Sequence, residues 1–273
     1  MVLSPQKIKT FQDVIWSFYK NEKRHFPWRT TKIPYRILVS EIMLQQTQTE
    51  RVTEYYRRFL RKFPTLKALS RAKLAEVLIV WQGLGYNRRA RFLWQLAQEV
   101  VKSHKGRLPS KPEILITLPG IGSYTAQAIS VFAHNQPCPL IETNIRSLYI
   151  DYFFADQRIV KDSEVLPLVV ATIDHQNPRE WFYALMDYGS KLKKNNKSVN
   201  ARSAHYVRQL PFEGSRRQLR GLIIRELSKE RFLTVKKILL KTKKDRLEVE
   251  SVINDLQKEG LIQKSRNRIC LTQ

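Results

Sequence analysis

Cysteine is nearly absent from this chain: Cys138 and Cys270 are the only two in 273 residues. Two thiols are too few for a disulfide framework or a four-cysteine cluster, and both are expected to be free in a reducing compartment. No stretch of about 18 uncharged apolar residues exists to span a bilayer, and the N-terminus has no apolar signal core. A soluble, intracellular protein is expected. Acidic residues are also scarce, 24 Asp+Glu against 49 Lys+Arg, for a net charge of +25 and a pI near 10.2. Solubility does not require so large an excess, so a polyanion is the natural partner, and without a membrane segment that partner is nucleic acid. Glycine is sparse at nine residues, so two glycines within three positions carry information.

At 42% hydrophobic residues, the chain can build one large core or two modest ones. Apolar residues recur at helical spacing over 8–187, as in Phe59-Leu60-Phe63-Leu66-Leu69 and Ala75-Val77-Leu78-Val80-Trp81, without sustained strand alternation. This predicts a helical domain over 1–190. Over 191–220 nine Lys/Arg accompany one Glu around the run Lys193-Lys194-Asn195-Asn196-Lys197-Ser198. The periodicity lapses there, and 191–214 reads as a basic connector lying along the polyanion. The pattern resumes in Leu219-Leu222-Ile223-Leu227, Val235-Ile238-Leu239 and Val249-Val252-Ile253-Leu256. Two alternating stretches close the chain, Leu261-Ile262-Gln263-Lys264 and Arg268-Ile269-Cys270-Leu271, about a Ser265-Arg266-Asn267 turn. Three helices and a hairpin predict a winged-helix-like domain over 215–273, with Arg246, Lys258, Lys264, Arg266 and Arg268 as phosphate contacts.

The segment Leu118-Pro119-Gly120-Ile121-Gly122-Ser123-Tyr124-Thr125-Ala126 joins a helix stop, a two-glycine turn and a helix start. Glycine takes positive φ at little steric cost, and a helix start presents unpaired N–H groups. The amides of Gly120, Ile121 and Gly122 can therefore hold a phosphate, with or without a bridging cation. An ordinary helix connection with a glycine C-cap has the same pattern, but the charge of the whole chain favours the anion.

Pro27-Trp28-Arg29, Ser40-Glu41-Ile42-Met43-Leu44-Gln45-Gln46-Thr47-Gln48, Gly83-Leu84-Gly85-Tyr86 and the two-glycine segment follow one another over 11–189. Together they resemble the helix-hairpin-helix (HhH-GPD) DNA glycosylases, in particular the adenine glycosylase (MutY) branch. The resemblance implies a mainly α fold, a two-lobed helical glycosylase domain followed here by the small winged-helix-like domain. It also implies a monomer that acts, in a nucleoid setting, on double-stranded DNA containing a damaged, mismatched or modified base.

Base removal needs an extruded nucleotide, a proton for the departing base and a carboxylate facing the cationic sugar. The resemblance assigns the proton to Glu41, desolvated by Ile42, Met43 and Leu44; the alternative is a glutamate facing solvent on an amphipathic helix. Glu142 stands where the family has aspartate. Its extra methylene leaves three outcomes, a retuned enzyme, an enzyme for another base or a degenerate binder. Glu41, Tyr124 and Asn144 keep the family pattern, which favours retained activity. Tyr124 takes the place of the lysine through which endonuclease III-type enzymes form a Schiff base and cut the strand, so a monofunctional enzyme is expected. Gln46 and Tyr86 match residues that wedge into the duplex, although Tyr86 has the alternative of a core aromatic beside Trp81 and Trp94. Arg24, Trp28, Arg29 and Asp187 match positions about the base pocket, with Arg29 also expected on the DNA; their ordinary reading is surface or ion-paired charge.

Most relatives place four cysteines after the segment matching Met186-Asp187-Tyr188-Gly189 to hold an iron–sulfur cluster. Here Lys193, Asn200 and Ser203 stand near the first three positions and Arg208 or Gln209 near the fourth. No cluster, metal or other cofactor is therefore expected, apart from a structural cation at the two-glycine turn. Lys191, Lys193, Lys194 and Lys197 are expected to clamp phosphate instead. The 215–273 segment is also too short and too helical for the Nudix-like domain with which adenine glycosylases recognise 8-oxoguanine. The leading function is removal of adenine opposite 8-oxoguanine or guanine. The runner-up is removal of thymine, uracil or a modified cytosine, and a damage-binding protein without catalysis is the third.

Overall fold

Helix starts in this chain are set by capping side chains and by proline. Ser4 accepts the Lys7 N–H at 3.3 Å and opens α1 (Pro5–Glu22), which has proline in its first turn. The computed structural model describes residues 3–196, 198–208 and 211–273. Among these, α1 is followed by α2 (Pro34–Leu44), α3 (Thr49–Lys62), α4 (Leu66–Arg71), α5 (Leu74–Trp81), α6 (Arg88–Ser103), α7 (Pro112–Leu115) and α8 (Ser123–His134). Then come α9 (Thr143–Phe153), α10 (Asp162–Thr172), α11 (Pro178–Asn195), α12 (Arg216–Leu227), α13 (Val235–Thr242) and α14 (Arg246–Lys258). A hairpin of β1 (Ile262–Ser265) and β2 (Arg268–Leu271) ends the chain, and short 3-10 turns lie at Pro27–Thr30 and Val199–Arg202. The fold is mainly α, and no helix among the described residues is long and apolar enough to cross a membrane.

The described residues form two compact units, one of 3–37, 110–116, 121–196 and 198–208, the other of 38–109, 117–120 and 211–273. In the first, α11 packs on α9 and α1, and α9 packs on α10. An aromatic seam joins them: the Phe11 ring lies 5.2 Å from Tyr149 and 6.0 Å from Trp181, all three fully buried. Each such burial stabilises by about 1.5–3 kcal/mol, which makes α1, α9 and α11 one body. Gly189 lets α11 approach the start of α9, since a β-carbon there would stand 2.1 Å from the Asn144 carbonyl oxygen.

The expected connector begins inside this unit. Residues 191–195 are the last turn of α11, where Lys193 and Lys194 favour the negative end of the helix. Apolar periodicity lapses there because Lys191, Lys194 and Asn195 face solvent on a helix that continues.

In the second unit α3, α5 and α6 bury Phe59, Trp81, Leu93 and Leu96. Ser215 caps α12, Thr234 caps α13 and Asp245 caps α14, each accepting a backbone N–H of the first turn. These helices enclose Leu219, Ile223, Val252 and Ile269. Ile262 pairs with Leu271 and Ser265 with Arg268, while Leu233 bridges Ile269. The hairpin turn is therefore two residues, Arg266 and Asn267, rather than the three expected. Arg266 adopts φ 50, the positive value that two-residue turns use to match strand twist. The C-terminal segment is bound to α6 and to the connection between α5 and α6 in its own unit: Gln82 donates to Ser228, Arg91 to the Glu259 carbonyl, and Arg217 Nη1 to the Tyr86 hydroxyl at 2.8 Å. Residues 215–273 thus share a unit with 38–109, and the 1–190 segment contributes to both units.

Candidate functional site

In the first unit Glu142 precedes α9 in extended conformation, and its side chain folds back over the helix start. Oε1 accepts the N–H of Asn144 at 2.8 Å and of Ile145 at 3.0 Å, and Oε2 accepts Asn144 Nδ2 at 3.1 Å. This curl takes up the methylene that distinguishes glutamate from aspartate and places the carboxylate at the positive end of α9. Asn144 Oδ1 in turn accepts from Lys193 Nζ at 3.0 Å. Lys193 lies one turn beyond Gly189, so the close helix crossing is what delivers this amine. Burial pushes the Lys193 pKa down, the Glu142 charge opposes this and Arg24 adds to it, leaving a net lowering.

Tyr124 is the second residue of α8, whose N-cap Gly122 is extended. Gly120 has φ +77, and a β-carbon there would stand 2.6 Å from Phe92 Cβ, so conformation and packing both demand glycine. A β-carbon on Gly122 would meet nothing within 4 Å. The Ile121 side chain is buried, whereas a side chain on Gly122 would enter open space.

Asp187 is completely enclosed and binds two guanidinium groups. Arg29 meets both its oxygens at 2.7 and 2.8 Å, and Arg24 approaches through Nε at 2.6 Å and its backbone N–H at 3.0 Å. Burial pushes the Asp187 carboxyl up, but the hydrogen bonds and charges of Arg29 and Arg24 outweigh it and hold it below the usual range. Trp28 stacks on Phe26 with ring centroids 5.0 Å apart, and both guanidinium groups lie within 5.3 Å of the Phe26 ring. The ion-paired alternative therefore describes Arg29 and Asp187. Arg29, expected on the DNA, has a side chain only 6% exposed because its charge is committed to Asp187.

The expected phosphate clamp is likewise rearranged by α11. Lys191 pairs with Glu22, Lys193 turns to Asn144, and Lys194 is exposed. Lys197 and Gln209 lie outside the described residues. At the positions where relatives hold a cluster, Lys193 is engaged with Asn144, Asn200 lies in the Val199–Arg202 turn, and Ser203 bridges Val160. Amine, amide and hydroxyl donors do not fit a thiolate-bound cluster. Arg202 ties the loop down instead, donating to the carbonyls of Phe154, Ala155 and Gln157, the last at 2.8 Å. Nothing in the sequence separates Arg202 from the other basic residues of this stretch.

In the second unit Glu41 is 7% exposed on α2 and does not face solvent; Ile42 and Met43 beside it are buried. Gln46 has φ 54 and Tyr86 φ 48, left-handed values that cost a non-glycine residue roughly 1–2 kcal/mol. Tyr86 is 37% exposed and is not a core aromatic. Arg89 of α6 supports both positions. Its guanidinium donates to the carbonyls of Ile42 and Met43 at 2.9 Å, of Gln45 at 2.5 Å, and of Leu84 and Gly85 at 3.3 Å. Burial pushes its pKa down to about 10, still charged at neutral pH. Arg89 was not among the expected site residues. Its signal was an arginine on the apolar stripe shared with Leu93, Leu96 and Val100.

Residues 39–166 match the model of the HhH-GPD superfamily of base excision DNA repair proteins. Residues 39–166, just under half of the chain, form an HhH-GPD segment. The chain is 42% identical over 146 residues to the adenine DNA glycosylase of Mycobacterium tuberculosis, covering 53% of this chain and 47% of that protein. It is 32% identical over 188 residues to that of Buchnera aphidicola from Acyrthosiphon pisum, covering 67% and 53%. The chain thus spans about half the length of these curated relatives. Among solved structures it resembles a thermostable thymine-DNA glycosylase, with a TM-score of 0.62 and 26% identity over 68% of this chain and 87% of the other. A non-covalent endonuclease III–DNA complex shares the fold, with a TM-score of 0.58 and 18% identity over 68% and 85%.

Proposed function

We infer that this chain is a monofunctional DNA glycosylase of base excision repair. It hydrolyses the N-glycosidic bond of adenine opposite 8-oxoguanine or guanine in double-stranded DNA, acting as an intracellular monomer on nucleoid DNA. The reading is carried by Glu41, a carboxylate 7% exposed within the family segment 39–166, in a chain that is 42% identical over 146 residues to an adenine DNA glycosylase. Glu41 protonates the departing purine, and Glu142, oriented by Asn144 and the start of α9, faces the cationic sugar. Tyr124, a phenol, forms no Schiff base, so the product is an abasic site. The winged-helix-like segment 215–273 adds basic contacts to phosphate. No iron–sulfur cluster is needed, and any resident cation belongs at the two-glycine turn.

Duplexes carrying one mispaired or altered base, incubated with the protein and then cleaved with alkali, test this directly. Release of adenine opposite 8-oxoguanine or guanine is expected, with Glu41→Gln slower by roughly 100-fold or more and duplex binding retained. The likeness to a thymine-DNA glycosylase supports a second reading, release of a mispaired pyrimidine, which cleavage confined to thymine or uracil would establish. No release from any duplex would leave the damage-binding reading.

A further inference from the structure

The three hydrogen bonds on the Glu142 carboxylate differ in kind. Oε1 accepts two backbone N–H groups, from Asn144 at 2.8 Å and Ile145 at 3.0 Å, which the start of α9 fixes in place. Oε2 accepts Asn144 Nδ2 at 3.1 Å, a side-chain amide that can rotate about its own bonds. A carboxylate that must present one oxygen to a reacting centre needs that rotation stopped, since misplacement by about 1 Å can cost roughly 100-fold in rate.

Lys193 meets the other end of that amide. Its Nζ donates to Asn144 Oδ1 at 3.0 Å from the last turn of α11. An ammonium can only donate and an ionised carboxylate can only accept, so an amide between them has a single orientation that satisfies both. The neighbouring lysines behave differently: Lys191 pairs with Glu22 and Lys194 is exposed. Lys193 is instead half-buried against a neutral oxygen, where burial and Arg24 both disfavour its charge and Glu142 favours it. A lysine at a helix end can usually extend its head to water, and this one does not. The interposed amide matters electrostatically as well. A direct ion pair would occupy Oε2 and offset its charge, whereas a link through Asn144 restrains the carboxylate and leaves its charge for a cation.

Resting on the glycosylase reading, we propose that Lys193 is a positioning residue for base removal: acting through Asn144, it holds the Glu142 carboxylate in the orientation that faces the cation developing on the sugar. The lysine touches neither the substrate nor the reacting atoms. Its charge enters the reaction only by fixing which way the Asn144 amide points.

Single-turnover excision on the duplex that the protein cleaves separates the roles open to this lysine. Lys193→Met should slow the chemical step by roughly 10- to 100-fold. Duplex affinity should stay within about twofold, and the thermal midpoint should hold or rise because a desolvated charge is removed. Lys193→Arg keeps a charged donor and should recover the rate to within about fivefold. In an Asn144→Ala background Lys193→Met should slow the step no further, because the lysine acts through the asparagine. Additive losses in that cycle, or an unchanged rate in Lys193→Met, would overturn the assignment. A loss confined to duplex affinity and steepened by salt would overturn it in favour of a phosphate contact. A second readout needs no catalysis. The side-chain amide resonances of Asn144, assigned by their disappearance in Asn144→Ala, should shift in both Lys193→Met and Glu142→Gln. Shifts in both variants with no base released from any duplex keep the link and reject the enzyme, whereas base release with resonances indifferent to Lys193→Met does the reverse.

Discussion

Gly189 and Asn144 meet so closely that a β-carbon on the glycine would stand 2.1 Å from the asparagine carbonyl oxygen. One helical turn on, Lys193 reaches the Asn144 side chain, which is itself bound to Glu142. A backbone crossing thereby orients the second carboxylate of the candidate site.

Gly189→Ala is expected to push α11 off α9. Overpacking of this kind costs about 1–3 kcal/mol. The thermal midpoint should fall by roughly 4–10 °C, as calorimetry would show.

Glu142 combines a cap with a charge, and two substitutions separate them. Glu142→Gln keeps an acceptor for Asn144 and Ile145, so stability should change by less than about 1 kcal/mol, while single-turnover excision falls by roughly 100-fold. Glu142→Ala should lose both. A Gln variant with wild-type rates would show that the carboxylate acts only as a cap.

The depressed Asp187 pKa contributes stability that is fully present above the ordinary carboxylate pKa near 4. It is lost as pH falls through the lower folded value. Asp187→Asn leaves two guanidinium groups without their counter-charge and should cost about 3–5 kcal/mol at neutral pH. The same variant should show a shallower acid limb when urea midpoints are followed from neutral pH down to about pH 3.

Arg89 carries the carbonyls that end α2 and those of the 84–85 turn. Arg89→Met keeps much of the volume and removes the donors. A loss of about 2–4 kcal/mol is expected from several buried acceptors left unpaired. Binding to abasic duplexes should weaken with it, because Gln46 and Tyr86 lose their support.

Tyr124 separates base removal from strand cutting. Borohydride should trap no covalent complex with the wild-type protein, although Lys193 lies near Glu142. Tyr124→Lys, which supplies an amine at the start of α8, should give a trappable adduct on an excisable duplex. Trapping by the wild-type protein that disappears in Lys193→Met would assign the amine to α11 instead.

Local chemistry made much of this protein legible in its residues. The net charge indicated a polyanion, the glycine pair marked the turn before α8, apolar spacing located most helices, and the Glu41 run named the family. These signals survive because caps, turns and helical stripes depend on neighbours within a few positions. The periodicity lapse at 191–195 misled because an exposed helical turn and a connector have the same composition. Long-range pairing left no such mark. That Arg29 pairs with Asp187, that Lys193 faces Asn144, that Arg89 binds the end of α2 and that Arg217 meets Tyr86 all join residues far apart in the chain. An arginine reads the same whether it meets a phosphate, a carboxylate or a helix end, and packing alone selects which.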